Sequence, residues 1–288
     1  MRSLTSRRTR LVGAAAALVL GVSRPTAQMP TFTSRANVVL VDALVTDGRM
    51  PVTDLGPDDF ELRDNGVPQK IARVSQGQVP LGVVLAMDTS GSVTGVRLSA
   101  LQAAAGSVVA ALQPADRLAV VAFGSRVRWR QLTSITPSAV ADALQPVPDP
   151  GDTSLFDAAY TALTLGESPG TRGLAIVFSD GVDTSSVLPA ASVVDIARRA
   201  DVVVFGVSVG GPTQSFLDVL SSATGGRTLR VESDRTLGAA LASIVAEFRS
   251  RYLISYTPVG VAQGGWHRLE LRVKGRRVTV NARPGYQY

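Results

Sequence analysis

The chain has 288 residues with 45% apolar and 5% aromatic content, enough to bury one substantial core and a smaller second one, which excludes a disordered chain. No cysteine is present, so disulfides, thiolate metal sites and a cysteine-linked lipid are excluded. The formal charge of +6 includes Arg2, Arg7, Arg8, Arg10 and Arg24 in the acid-free first 27 residues, and without those five it falls to +1.

In chain order, residues 1–27 have the layout of an export signal: basic Arg2 to Arg10, an apolar stretch from Leu11 to Val22, then a polar end near Ala27. The apolar run, about 12 residues, is short for a membrane span. The expectation is an exported protein, periplasmic or extracellular, with no transmembrane span after cleavage. Either the general secretory or the twin-arginine route could serve, since Arg7 and Arg8 partly match the latter.

From Val38 to Val74 the pattern is strand-like. Val39, Val41, Ala43 and Val45 alternate with more polar neighbours, and D-N-G at Asp64 to Gly66 signals a hairpin. Apolar runs at Leu81 to Met87, Leu118 to Phe123, Leu174 to Phe178 and Val202 to Val207 then read as buried parallel strands. Helical patterns at Arg97 to Leu112, Leu155 to Leu165, Ala190 to Ala200, Phe216 to Ala223 and Leu237 to Phe248 separate or follow them. The expected fold class is α/β: a doubly wound, mostly parallel sheet, inserted in or flanked by a small β domain. From Tyr252 to Tyr288 strands return, with His267, Leu269, Leu271 and Val273 on one face. Neither terminal part can bury its apolar face alone. The expected organisation is a signal at 1–27, a β segment at 36–78, the α/β domain at 79–250, and a β segment at 251–288 packed with the first; two separate ribbons are the alternative. Beyond the signal, no basic stripe with aromatic platforms is evident, so no nucleic-acid partner is expected.

Ligands of such sheets bind where loops leave the carboxyl ends of the strands. D-T-S-G-S, Asp88 to Ser92, follows the first core strand directly, so Asp88, Ser90 and Ser92 can converge above the sheet. Their oxygens suit hard cations. A serine-rich loop can also serve only to cap the next helix. Thr153 stands in a polar loop before a helical pattern, and Asp180 follows the third core strand. All of these loops belong on one rim.

This pattern resembles the von Willebrand factor type A domains, whose metal-ion-dependent adhesion site reads D-x-S-x-S, then a threonine, then an aspartate. The likeness runs from Leu81 to about Phe248, with F-G-V-S-V-G from Phe205 and A-T-G-G-R from Ala223. The flanks, D-D-F-E-L-R-D-N-G from Asp58, R-Y-L-I-S-Y-T-P from Arg251 and A-R-P-G-Y from Ala282, are similar to those of bacterial exported proteins bearing such domains. The resemblance implies that Ser90 and Ser92 ligate a divalent cation directly, that Thr153 does so in the partner-bound state, and that Asp88 and Asp180 hold coordinated waters. Mg2+ is the first choice, and Mn2+ or Ca2+ would also be accepted by these oxygens. Neutral hydroxyls leave the cation under-neutralised, so an Asp or Glu carboxylate of a protein partner would complete the shell. Asp183 is expected to cap a helix start, and Asp157 to brace the Thr153 loop. The oligomeric state is not legible.

Enzyme readings are weaker. G-V-S-V-G, Gly206 to Gly210, matches the nucleophile-elbow pattern, with Asp218 or Asp234 and then His267 in hydrolase order. Gly211 and Pro212 follow where a helix should begin, and His267 sits in an alternating strand. The cup has no histidine or glutamate placed as a general base for metal-assisted hydrolysis. The expectation is a non-enzymatic, metal-dependent adhesion or scaffold module, with a purely bracing metal as the alternative.

Overall fold

The computed structural model describes residues 38–90, 96–145, 151–179, 182–209 and 215–288. The expected export signal, Ser92 and Asp180 lie outside the described residues. In chain order the strands are β1 (Val39–Asp47), β2 (Met50–Pro51), β3 (Phe60–Asp64), β4 (Val67–Gln69) and β5 (Ile71–Gln76), then β6 (Leu81–Asp88). Helix α1 (Val96–Ala111) leads to β7 (Arg117–Phe123), β8 (Val127–Gln131), α2 (Pro137–Ala143) and α3 (Leu155–Gly166). There follow β9 (Arg172–Phe178), α4 (Ala190–Ala197), β10 (Val202–Val209), α5 (Phe216–Thr224), β11 (Thr228–Val231) and α6 (Asp234–Ser250). The chain closes with β12 (Tyr252–Tyr256), β13 (Trp266–Val273), β14 (Thr279–Ala282) and β15 (Gly285–Gln287).

The central sheet has the order β11-β10-β9-β6-β7-β8. All neighbours in it are parallel except β7 and β8. Alternate residues of β6 serve opposite cores: Leu81, Val83, Leu85 and Met87 face α1, α2 and α6, while Val84 and Ala86 face α3, α4 and α5. Burial on both faces is why this strand reads as an unbroken apolar run rather than an alternating one. The result is a doubly wound α/β fold whose strand ends carry the loops of interest.

Two antiparallel sheets lie beside it in sequence. One has the order β14-β1-β12-β5, with β2 on β1, and the other β15-β13-β3-β4. Each mixes strands from residues 39–76 with strands from residues 252–287; Val39 pairs Tyr256, and Phe60 pairs Val273. They enclose a core of Val41, Ala43, Val45, Phe60, Leu62, Tyr252, Ile254 and Tyr256. The D-N-G turn joins β3 to β4, with Asn65 and Gly66 at φ values of 48° and 81°, as a tight hairpin requires.

Three local expectations change. Strand β8 and helix α2 had no signal in the apolar pattern: β8 is largely exposed and carries arginine at alternate positions, and α2 has seven residues, started by the Thr136 hydroxyl accepting from the Ala139 N–H. Helix α4 ends at Ala197 rather than Ala200, and α6 starts three residues before Leu237. Among the described residues no helix is long and apolar enough to cross a membrane.

Candidate metal centre

Asp88 ends β6 and is fully buried. Its Oδ1 accepts from the Ser90 N–H at 3.0 Å and its Oδ2 from the Ser179 hydroxyl at 2.8 Å. The carboxylate is therefore held in one orientation from both sides. Thr89 donates its N–H to the Phe123 carbonyl at 2.7 Å, and Ser154 donates to the adjoining Gly124 carbonyl, also at 2.7 Å. The end of β7 thus brings the Asp88 loop and the Thr153 loop together.

Thr153 itself is pinned through its backbone. Its N–H donates to the Thr184 hydroxyl at 2.8 Å, and its carbonyl accepts from the N–H groups of Thr184 and Ser185 at 2.9 and 3.2 Å. Ser90 and Thr153 are only 5% and 6% exposed, and the hydrogen bonds they make among the described residues run through their backbones. Hydroxyls that stay uncommitted at a buried rim are available to an outside electron-pair acceptor. The chemistry of these hydroxyls, with that of the Asp88 carboxylate, fits a hard divalent cation.

The loop after Asp180 supports the same rim. Asp183 does cap a helix start, but that of α3: its Oδ1 accepts from the Phe156 N–H at 3.1 Å. The Ser186 hydroxyl accepts from Phe156 and Asp157 N–H at 3.0 and 3.1 Å. Asp157 answers in reverse, its carboxylate accepting from Val187 and Leu188 N–H, both at 2.9 Å. It braces residues 183–188 rather than the turn of its own loop. Ser179 was not singled out in the sequence, although its place between a core strand and Asp180 is a signal that could have marked it. Among the described residues no group of three or more His, Cys, Asp or Glu is placed to hold a metal ion; the expected cup relies on hydroxyls, and its Ser92 and Asp180 lie outside them.

The hydrolase constellation is not brought together. Ser208 is the next-to-last residue of strand β10. His267 is buried in β13, where its Nδ1 lies 2.8 Å from Asp64 Oδ1. Asp218 caps α5 through Ser215 and pairs with Arg230.

The family model of the von Willebrand factor type A domain matches residues 82–243, more than half of the chain. The chain belongs to the von Willebrand factor type A domain family. Such domains are in general non-catalytic adhesion or scaffold modules, in keeping with the expectation that the protein is not an enzyme. Among solved structures, the von Willebrand factor A fold here is similar to a von Willebrand factor type A protein from Catenulispora acidiphila, at 14% identity and a TM-score of 0.52, over 85% of this chain and 75% of that one. It is also similar to proximal thread matrix protein 1 from the mussel byssus, at 14% identity and a TM-score of 0.52, over 64% and 49% of the two chains. A form of that protein with a zinc-occupied MIDAS motif matches at 15% identity and a TM-score of 0.50, over 59% and 48%. The chain spans about half the length of the mussel protein, and at these identities the likeness is one of fold.

Proposed function

We propose that this protein is an exported, metal-dependent protein-binding module in which Asp88, Ser90, Ser92, Thr153 and Asp180 hold a divalent cation, Mg2+ first. The observation that supports this reading is the pair of buried hydroxyl residues, Ser90 and Thr153, on two loops that bond to the end of β7, one of them carrying the oriented carboxylate of Asp88. When bound, the cation supplies a Lewis-acidic position for an Asp or Glu carboxylate of the partner. The chain's own residues supply the rest. Ser179 and the Ser90 N–H keep the Asp88 carboxylate turned to the rim, and residues 183–188 hold Thr153 by its backbone so that its hydroxyl stays free. The domain boundaries that go with this reading are a signal at 1–27, the type A domain at 79–250, and one β domain built from 36–78 and 251–288.

The test is retention of envelope proteins on the immobilised full chain with Mg2+, with chelator, and with Ser90→Ala. Retention should need both the metal and the hydroxyl, with metal-free thermal unfolding unchanged in the variant. Identical retention by the variant and in chelator would overturn the proposal. Stabilisation by Mg2+ without any carboxylate-dependent retention would leave a bracing metal instead.

A further inference from the structure

Strand β8 is the last strand of the central sheet, and among the described residues no strand pairs with its outer edge. Two hydrogen bonds set the phase of its ladder with β7: Gly124 N–H to the Arg126 carbonyl at 3.2 Å, and Leu132 N–H to the Leu118 carbonyl at 3.0 Å. In an antiparallel pair such bonds recur at every second residue. Arg126, Arg128 and Arg130 therefore turn their peptide groups toward β7, and Val127, Trp129 and Gln131 turn theirs outward. Those outward N–H and C=O groups meet no partner among the described residues.

The side chains divide in the same rhythm. Arg126, Arg128 and Arg130 lie on the α1 and α2 face and are all exposed. Arg128 reaches the Gln145 carbonyl at 2.6 Å, while Arg126 and Arg130 form no ion pair among the described residues. No acidic residue occurs between Asp116 and Asp142. On the opposite face Val127 packs against the α3 core, and Trp129 stands 58% exposed beside it. Three arginines and one tryptophan thus occur within Arg126 to Arg130. The geometry still disfavours a nucleic-acid strand, because tryptophan and arginines point to opposite faces and cannot stack a base and pair its phosphate together.

We propose that β8 is a second docking edge that accepts an extended peptide segment of a partner protein as an added strand, with acidic and apolar residues alternating. The added strand would pair with the peptide groups of Val127, Trp129 and Gln131. Its acidic residues would lie over Arg126, Arg128 and Arg130, and its apolar residues over Trp129. The same arginines repel a basic or like strand, so the edge is guarded against self-pairing while open to its ligand.

The proposal is tested by fluorescence anisotropy of the full chain with a labelled octapeptide of alternating Glu and Val, in chelator so that the metal site is silent. The octapeptide should bind, and weaken as salt is raised. A block peptide of the same composition, an alternating Lys-Val peptide, and an alternating Glu-Val peptide N-methylated at every second residue should each bind at least about tenfold more weakly. Arg126→Glu with Arg130→Glu should cost about the same factor, both side chains being exposed and free of ion pairs among the described residues. Trp129→Pro should weaken binding beyond Trp129→Thr, since proline removes only an outward N–H and leaves the ladder with β7 intact. Equal binding of the N-methylated or the block peptide, or tighter binding of oligothymidylate than of the octapeptide, would overturn it.

Discussion

Asp88 Oδ2 accepts a 2.8 Å hydrogen bond from the hydroxyl of Ser179, and both residues are buried where neighbouring parallel strands β6 and β9 end. The contact ties the carboxylate at the end of β6 to the residue that follows β9 and so fixes its orientation.

Replacing Asp88 by alanine removes the acceptor of both the Ser179 hydroxyl and the Ser90 N–H. Leaving buried donors unsatisfied costs about 1 to 3 kcal/mol. Urea unfolding in chelator should show that loss for Asp88→Ala, whereas Ser90→Ala should stay within about 0.5 kcal/mol of the parent, its hydroxyl making no hydrogen bond among the described residues.

The carboxylate of Asp64 accepts from the Tyr256 and Tyr286 hydroxyls at 2.8 and 2.9 Å and lies 2.8 Å from His267 Nδ1. Burial, then the hydrogen bonds to Tyr286 and Asp64, push the Tyr256 phenol above its ordinary value of 10.0. The folded protein keeps that proton where the unfolded chain releases it. Stability from Tyr256 is thus complete below about pH 10 and falls as pH rises beyond it. Tyr256→Phe should cost about 1 to 2 kcal/mol at neutral pH and flatten the alkaline decline, read as denaturation midpoints from neutral to alkaline pH.

Asp218 should show the opposite limb. Burial disfavours its charge, but the Ser215 N–H, the Thr228 and Ser215 hydroxyls and the Arg230 guanidinium outweigh this and hold the carboxyl below its ordinary value of 3.8. The unfolded chain then takes up the proton first as pH falls, so this stability is present above about pH 4 and is lost toward the lower folded value. Asp218→Asn should cost about 1 kcal/mol at neutral pH through the weakened cap of α5, with little added by the partly exposed ion pair. The difference from the parent should shrink in acid, as chemical denaturation at both pH values would show.

Gly226 follows α5 where the chain passes against β10, and a Cβ there would run into the backbone carbonyl of Val204. A backbone atom inside a ladder cannot rotate aside. Gly226→Ala should therefore lose about 1 to 3 kcal/mol by overpacking. Gly275→Ala, at φ 66° with open space around it, should lose about 1 kcal/mol or less. Thermal unfolding of the two variants separates crowding from backbone strain.

Much of the central sheet was legible because β6, β7, β9 and β10 are buried on both faces, leaving apolar runs that periodicity alone detects. Strand β8 was not, because one ladder and exposed arginines give it no apolar signature. Asp88, Ser90 and Thr153 could be placed on loops after or beside core strands from spacing. Ser179 and residues 183–188 could not be given their roles, since a serine before an aspartate reads alike whether or not it grips a neighbouring strand.

The sequence by itself determined the doubly wound sheet and which oxygen-bearing side chains follow its strands, because both are written in local order: apolar runs, helical spacing, and the residue next after a strand. Only the tertiary structure decided that Asp183 caps α3, that the end of β7 joins the Asp88 and Thr153 loops, and that Asp64 and His267, 203 residues apart, share a hydrogen bond. A hydrogen bond between distant residues leaves no periodicity in the chain; it exists only once packing has brought its donor and acceptor together and removed the water that would otherwise satisfy both.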